Sequence, residues 1–299
     1  MGSSIQKALK KAKIKHWLSI VVISMASCLI LIFISDSLST RHTTQLHDRL
    51  FLEHRISQPN VTIDSQVTAN NTAFGGNIIT NRSKNVDGYL IPWSTLTSSY
   101  SWMGSSVDFN ELTPGSHSSG KTDYEYDKQT KQKVATFYNP AIKDYYGGVQ
   151  NQLEAVGELK NHVAEVAISF KKPLTMKQVK DRIPENLNIA WLYMHSEIAD
   201  ESKGPAGLPV YGYADTELSK DSFETFIDDL KTYDSNNSVE AIQHYINENE
   251  HKPFNEVTVL GVMVTGQTKN FHELIGKEFI RGASVGVTAP VVPYIKPTK

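Results

Sequence analysis

Residues 17–34, WLSIVVISMASCLILIFI, form the one long stretch of the chain without a charge or a strongly polar cluster. As a helix the stretch spans about 27 Å, at about 1.5 Å per residue, close to the hydrocarbon thickness of a bilayer. A backbone in lipid must satisfy its own polar groups, so a span here is helical. Past it, Leu46, Leu50, Phe51 and His54 recur at helical spacing and predict a juxtamembrane helix over residues 36–58, stopped by Pro59. Residues 61–67 alternate as V-T-I-D-S-Q-V, the period of a strand. Residues 68–135 are rich in Ser, Thr, Asn and Gly, with strands expected around 75–80 and 88–92 and a polar loop or hairpin tip over 114–133.

From about His162 the pattern sharpens. Residues 163–170 (VAEVAISF) read as a strand, Pro173 opens a helix that Pro184 closes, and residues 187–193 (LNIAWLY) read as a second strand. Residues 256–265 (EVTVLGVMVT), 268–279 and 282–287 repeat the order strand, helix, strand. Between the two units, residues 221–233 and 239–249 predict amphipathic helices, with Phe223, Phe226, Ile227 and Leu230 on one apolar face and Ile242, Tyr245 and Ile246 on the other. The fold class that follows is α+β: one N-terminal transmembrane helix, a β-rich region, and a C-terminal part of two βαβ-like halves. The expected divisions are a basic arm over 1–16, the span over 17–34, the juxtamembrane and β-rich region over 35–160, and the α+β domain over 161–299.

Charge sets a direction for the span. Lys7, Lys10, Lys11, Lys13 and Lys15 precede it with no acidic residue among them, and after it come Asp36 and then Arg41. The positive-inside rule puts the N-terminus in the cytoplasm and the bulk of the chain outside, with Trp17 at an aromatic-belt position. The lysines can also bind anionic headgroups, at about 1 kcal/mol each. A cleaved signal peptide is a rival reading, but its apolar core is shorter and ends in a small-x-small site, whereas this run ends Phe33-Ile34-Ser35-Asp36. A lipoprotein signal is another, because Met25-Ala26-Ser27 precedes Cys28, yet Leu29 to Ile34 are apolar where a polar tether belongs. Net charge is −2 with 21% charged residues, which suggests no nucleic-acid surface. With one cysteine there is no internal disulfide, and the matches to the glycosylation pattern at Asn60, Asn70, Asn81 and Asn236 read as chance.

No catalytic constellation emerges. The serines of Gly104-Ser-Ser and of residues 115–120 (GSHSSG) do not fit the nucleophile elbow. His42, His47 and His54 are spaced five and seven apart, which does not put all three on one metal-binding face. Gly75-Gly76 and Gly147-Gly148 lack the flanking residues of a phosphate loop. Asp228-Asp229 reads as a solvated helix face, and Tyr124, Tyr126, Tyr145 and Tyr146 as packing rather than a binding patch. No enzyme activity, cofactor or metal is expected.

Four segments carry a resemblance. Lys7 to Lys15 (KALKKAKIK), running into the span, resembles the start of the sigma factor regulator N-terminal module. The segment FYNPAIKDYY, with Tyr138, Asn139, Pro140, Tyr145 and Tyr146, resembles the middle of these proteins. GLPVYGY, with Gly207, Pro209 and Gly212, and GVMVTGQT, with Gly261, Thr265, Gly266 and Thr268, resemble their C-terminal module. The resemblance implies a membrane-bound anti-sigma factor or relative that restrains an extracytoplasmic-function sigma factor in Gram-positive bacteria. It implies as partners the cytoplasmic membrane and such a sigma factor, held directly or through a partner membrane protein. The family's arm before the span is usually several helices. Here residues 1–16 offer one short helix with Ile5, Leu9 and Ala12 on a side, small against the roughly 800 Å² per partner of a stable interface. The alternative is an envelope binding or structural protein without a sigma link, and a cell-wall or peptide hydrolase ranks last.

Overall fold

The computed structural model describes residues 2–106, 113–118, 123–198, 201–204 and 210–299. Helix α1 (Gly2–Ser57) is followed by strands β1 (Thr62–Thr72), β2 (Gly75–Val86), β3 (Tyr89–Ser101) and β4 (Gly104–Ser106). Next come β5 (Gly115–Ser118), β6 (Asp123–Tyr126), β7 (Asp144–Tyr145), α2 (Leu153–Gly157), β8 (His162–Thr175), α3 (Met176–Arg182) and β9 (Asn188–Ser196). The chain ends with β10 (Lys203–Gly204), β11 (Val210–Tyr213), α4 (Lys220–Asn237), α5 (Glu240–Asn249), β12 (Thr258–Gln267), a 3-10 helix (Thr268–Leu274) and β13 (Ile280–Pro290). It forms two compact units. The first is Met1–His47, Val67–Ile79 and Thr97–Asn110, and the second is Asp48–Gln66, Thr80–Leu96 and Glu111–Lys299.

Helix α1 has no Gly or Pro after Gly2, and the span and the juxtamembrane helix are one rod of 56 residues, about 84 Å long. In the first unit its surface changes character at one point. Every side chain from Ser4 to Ile34 is exposed, whereas Ser35, Ser39 and Leu46 are buried. Ser35 Oγ donates to the Ala73 carbonyl at 2.9 Å and Ser39 Oγ to the same oxygen at 3.4 Å. His42 Nδ1 donates to the Ser101 carbonyl at 2.7 Å. The cover thus begins one residue after the charge-free run ends.

In the second unit the core is a five-stranded sheet of order β11-β9-β12-β8-β13 with antiparallel neighbours throughout. Strands β8 and β9 are therefore parallel, with β12 between them, and β12 and β13 are parallel, with β8 between them. The two βαβ-like halves are present but interleaved: each lends the strand that fills the other's gap, the split βαβ arrangement of ferredoxin-like sheets. Even-numbered side chains of β8 (Ala164, Val166, Ile168, Phe170) join Met176 and Val179 of α3, Phe226 and Leu230 of α4, Ile242 of α5 and Phe271 in one core. On the other face Ala167, Trp191, Tyr193 and Met263 pack with Phe137. The Phe137 and Tyr193 rings stack at 4.3 Å between centroids and 9° between planes.

Several expected boundaries move. The first crossover helix starts at Met176, not Pro173, because Thr175 and Gln178 form a capping box that fixes the start while Leu174 still pairs with Val259. The second crossover is a 3-10 helix of Thr268–Leu274, shorter than the helix expected to residue 279. Strands β2 and β3 run well past 75–80 and 88–92, and part of 114–133 is the β5–β6 hairpin. Phe51 is exposed, not buried. At about 100° per residue it falls on the edge between two covered faces of α1, one holding Leu46, Leu50 and His54, the other Leu52 and Ile56.

Leu260 lies within the strand expected over 256–265, yet it is only half-buried, because the β12–β8 register shifts between Val259 and Gly261 and the bulge turns Leu260 to the margin of the Phe137 cluster. Leu260→Ala therefore costs less than the roughly 2–5 kcal/mol of a core Leu→Ala, and Leu192→Ala, fully buried, falls inside that range. Denaturant unfolding of the detergent-solubilised chain checks the ranking, and equal losses contradict the bulge.

Candidate functional site

The end of α1 does not sit on the surface of the second unit. Leu52 and Ile56 enter its main core, and Leu50 is fully buried. Between them His54 is buried against Arg82 of β2. His54 Nδ1 lies 2.7 Å from the Leu50 carbonyl and donates to it, so Nε2 is the acceptor and faces Arg82 Nη1 at 3.3 Å. Burial, with the neighbouring Arg82 charge adding to it, brings the imidazole down to about 4 despite the Leu50 hydrogen bond. Arg82 is held in turn by Ser94 of β3, Nε to the carbonyl at 2.7 Å and Nη2 to Oγ at 2.8 Å. One residue on, Arg55 Nη2 meets Asp229 of α4 at 2.6 Å. Asp229 is thus not part of a solvated acidic face, although its neighbour Asp228 is.

After Pro59 the chain turns through Asn60, whose φ is 53°. Asn60 Nδ2 donates to Glu165 Oε2 at 2.6 Å and to the Asn85 carbonyl at 3.1 Å. Glu165, on β8, also accepts from Lys84 Nζ at 2.8 and 3.1 Å, and that ammonium lies 4.4 Å from the Trp93 ring centroid. Lys84 and Glu165 side chains are 5% and 0% exposed. Room for the carboxylate depends on Gly286, where a Cβ would sit 2.5 Å from Oε1. Burial pulls nearby Lys133 down to about 8, against the pull of Glu125 and Glu165. The turn that follows the anchor helix is therefore tied to the central sheet by a charged, desolvated cluster.

The positions of the middle segment come together around Arg281. Its Nη1 donates to the Asn139 carbonyl at 2.6 Å, its Nη2 to the carbonyls of Ile142 and Lys143, and its guanidinium lies 5.4 Å from the Tyr145 ring centroid. Asn139 Nδ2 donates to Ser196 Oγ at 2.6 Å, and the Tyr138 amide donates to Ser169 Oγ at 2.8 Å. Tyr138 and Tyr145 pack edge to face, 5.0 Å apart, while Pro140 is half-buried and Tyr146 is exposed. The C-terminal positions are points of close approach. A Cβ at Gly261 would meet Phe137 at 2.7 Å, at Gly266 Leu187 at 2.6 Å, and at Gly212 the Leu192 carbonyl at 1.9 Å. Thr265 is buried opposite Glu165, and Thr268 Oγ1 donates to the His162 carbonyl at 3.1 Å. Gly207 and Pro209 lie outside the described residues. Lys7, Lys10, Lys11, Lys13, Lys15 and Trp17 are all exposed on α1.

Sequence reasoning missed Arg82, Lys84, Glu165 and Arg281. A faint signal was available: Arg82 and Lys84 stand two apart in a segment that continues a strand, and Glu165 interrupts an otherwise apolar one. Among the described residues no three His, Cys, Asp or Glu side chains gather as a metal site. Helix α1 holds the exposed apolar segment in the first unit, and its last turns hold the buried His54–Arg82 contact in the second.

A family model described as sigma factor regulator N-terminal matches residues 6–91, and one described as sigma factor regulator C-terminal matches residues 153–287. Comparisons with curated proteins and with solved structures return no match.

Proposed function

This chain belongs to the sigma factor regulator family and acts in sigma factor regulation as a single-pass membrane protein, and on that premise we propose that it is an anti-sigma factor-like regulator of an extracytoplasmic-function sigma factor. The N-terminus lies in the cytoplasm and the sheet-bearing unit outside, where it senses or transmits an envelope signal. The observation that carries this reading is the unbroken helix α1. It passes from a lysine-rich, fully exposed segment through the apolar run to the buried His54–Arg82 contact, and the turn that follows it makes the Asn60–Glu165 contact. A change in the outer unit that alters how residues 50–60 are seated shifts or rotates the same helix inside the cell. Ile5 and Leu9, on one side of α1 with Ala12, stand exposed among the lysines and form the inner surface for a sigma factor or for a membrane protein that holds one.

Five lysines before the span and none close after it favour N-in, C-out insertion. Protease added to wall-stripped cells should remove the mass beyond Asp36, and neutral replacements at the five lysines should scramble the orientation. Full protection of the C-terminal part contradicts the assignment. For the regulatory step, a photo-crosslinker at Leu9 should trap a sigma factor or a second membrane protein, and deletion of the gene should change a sigma-dependent regulon. If neither happens, an envelope-binding role replaces this reading.

A further inference from the structure

The first unit carries a second apolar surface besides the span. The turn between β1 and β2 presents Phe74, and the turn between β3 and β4 presents Trp102 and Met103, with exposures of 56, 46 and 78%. The two tips are joined, since the Trp102 amide donates to the Phe74 carbonyl at 3.1 Å. They are also fixed to α1 at a defined height. The Ala73 carbonyl takes the hydroxyl of Ser35, the first residue after the apolar run, and the Ser101 carbonyl takes His42. No charged residue occurs in 65–81 or 94–107, in a chain that is 21% charged overall. Three large apolar side chains left in water at a pair of hairpin tips are costly and are uncommon in a soluble unit without a partner. Here the span places a bilayer boundary beside them. Trp, with an apolar ring and one N–H donor, is the residue type that settles at headgroup level.

We propose that the β1–β2 and β3–β4 turns are a membrane-docking surface, with Phe74, Trp102 and Met103 seated in the headgroup and upper acyl region of the leaflet from which α1 emerges. The occupant is the lipid of the same bilayer. The tips are joined to α1 at the end of the span, through Ser35, and the two hairpin segments that carry them, 65–81 and 94–107, hold no charge. The seat fixes the height and rotation of α1 at the surface, which a single unsupported helix does not. It rests on the span alone, so loss of the sigma factor link leaves it standing.

The test uses the full chain with Trp17→Phe, which removes the tryptophan at the other end of the span, reconstituted in phosphatidylcholine–phosphatidylglycerol vesicles. Bromine on the upper acyl chain should quench part of the tryptophan emission, and acrylamide in the water should fail to reach that part. Adding Trp102→Phe, a conservative change that keeps the fold by circular dichroism, should abolish the bromine-sensitive part and leave Trp93 and Trp191 emission. Unchanged bromine quenching in the Trp102→Phe protein overturns the proposal. So does a Trp102 contribution, the part of the emission lost on Trp102→Phe, that is shielded from acrylamide yet insensitive to bromine, because a protein surface, such as a second copy, then covers the tips.

Discussion

Lys84→Met should destabilise the second unit by about 3–5 kcal/mol, the cost of leaving one member of a buried ion pair without its partner. Glu165 lies at 0% exposure with Lys84 Nζ at 2.8 Å, so the variant leaves the carboxylate desolvated without its ammonium. Asn60 continues to donate to Oε2 and Lys133 stands nearby, but a neutral donor and a more distant ammonium do not replace the direct pair. The double change Lys84→Met with Glu165→Leu should recover much of the loss, since apolar groups of similar volume often match a buried pair. The cycle of two single variants and the double one, measured by denaturant unfolding in detergent, isolates the coupling. A Lys84→Met loss within about 0.5 kcal/mol, the usual range of a surface substitution, would show that the pair is solvated. The same variants bear on signalling, because Asn60 joins this cluster to the turn that leaves α1. If the lock transmits, Glu165→Leu alone should change the regulon even where the protein remains folded.

Acid should unseat α1 through His54. In the folded protein its imidazole stands at about 4, against 6.5 unperturbed, with burial as the leading cause. Between those values the unfolded chain binds a proton that the folded one refuses. The contribution is fully present above about pH 6.5, is lost as pH falls toward 4, and changes no further below that. The loss is on the order of 3 kcal/mol. Protonation also places a second cation against Arg82, whose Nη1 needs the neutral Nε2 as acceptor. His54→Gln should flatten the stability profile between pH 6.5 and 4, whereas a profile as steep as before would assign the acid sensitivity to carboxylates. Because the helix that carries His54 also carries the span, the same pH window should alter protease access near residues 50–60.

These two sites show how the sequence and the tertiary structure divide the work. The span and its flanking lysines were legible because each depends on composition over a continuous stretch. A charge-free run of bilayer length needs no partner to be recognised. The strands and amphipathic helices of the C-terminal part were legible for a related reason, since a period of 2 or 3.6 reports which side of an element is buried. Capping chemistry is equally local, and the Thr175–Gln178 pair could have been used to place the start of α3.

Periodicity does not say what lies against the buried side. Lys84 and Glu165 are 81 positions apart, and Arg281 is 142 from Asn139, so no local pattern joins them. Phe51 has the same hydrophobicity as its neighbours, and only the packing of two different layers on α1 leaves it outside. Leu260 is turned from the core by a shift in the pairing of β12 with β8, a strand some ninety positions earlier in the chain. The interleaving of the two βαβ-like halves is likewise a choice among pairings that the same strand pattern permits. Sequence alone therefore determined the membrane anchor, its charge asymmetry and the class of fold. The tertiary structure decided the partners, because burial of a charge or closure of a sheet is settled by long-range contacts whose energies no single segment contains.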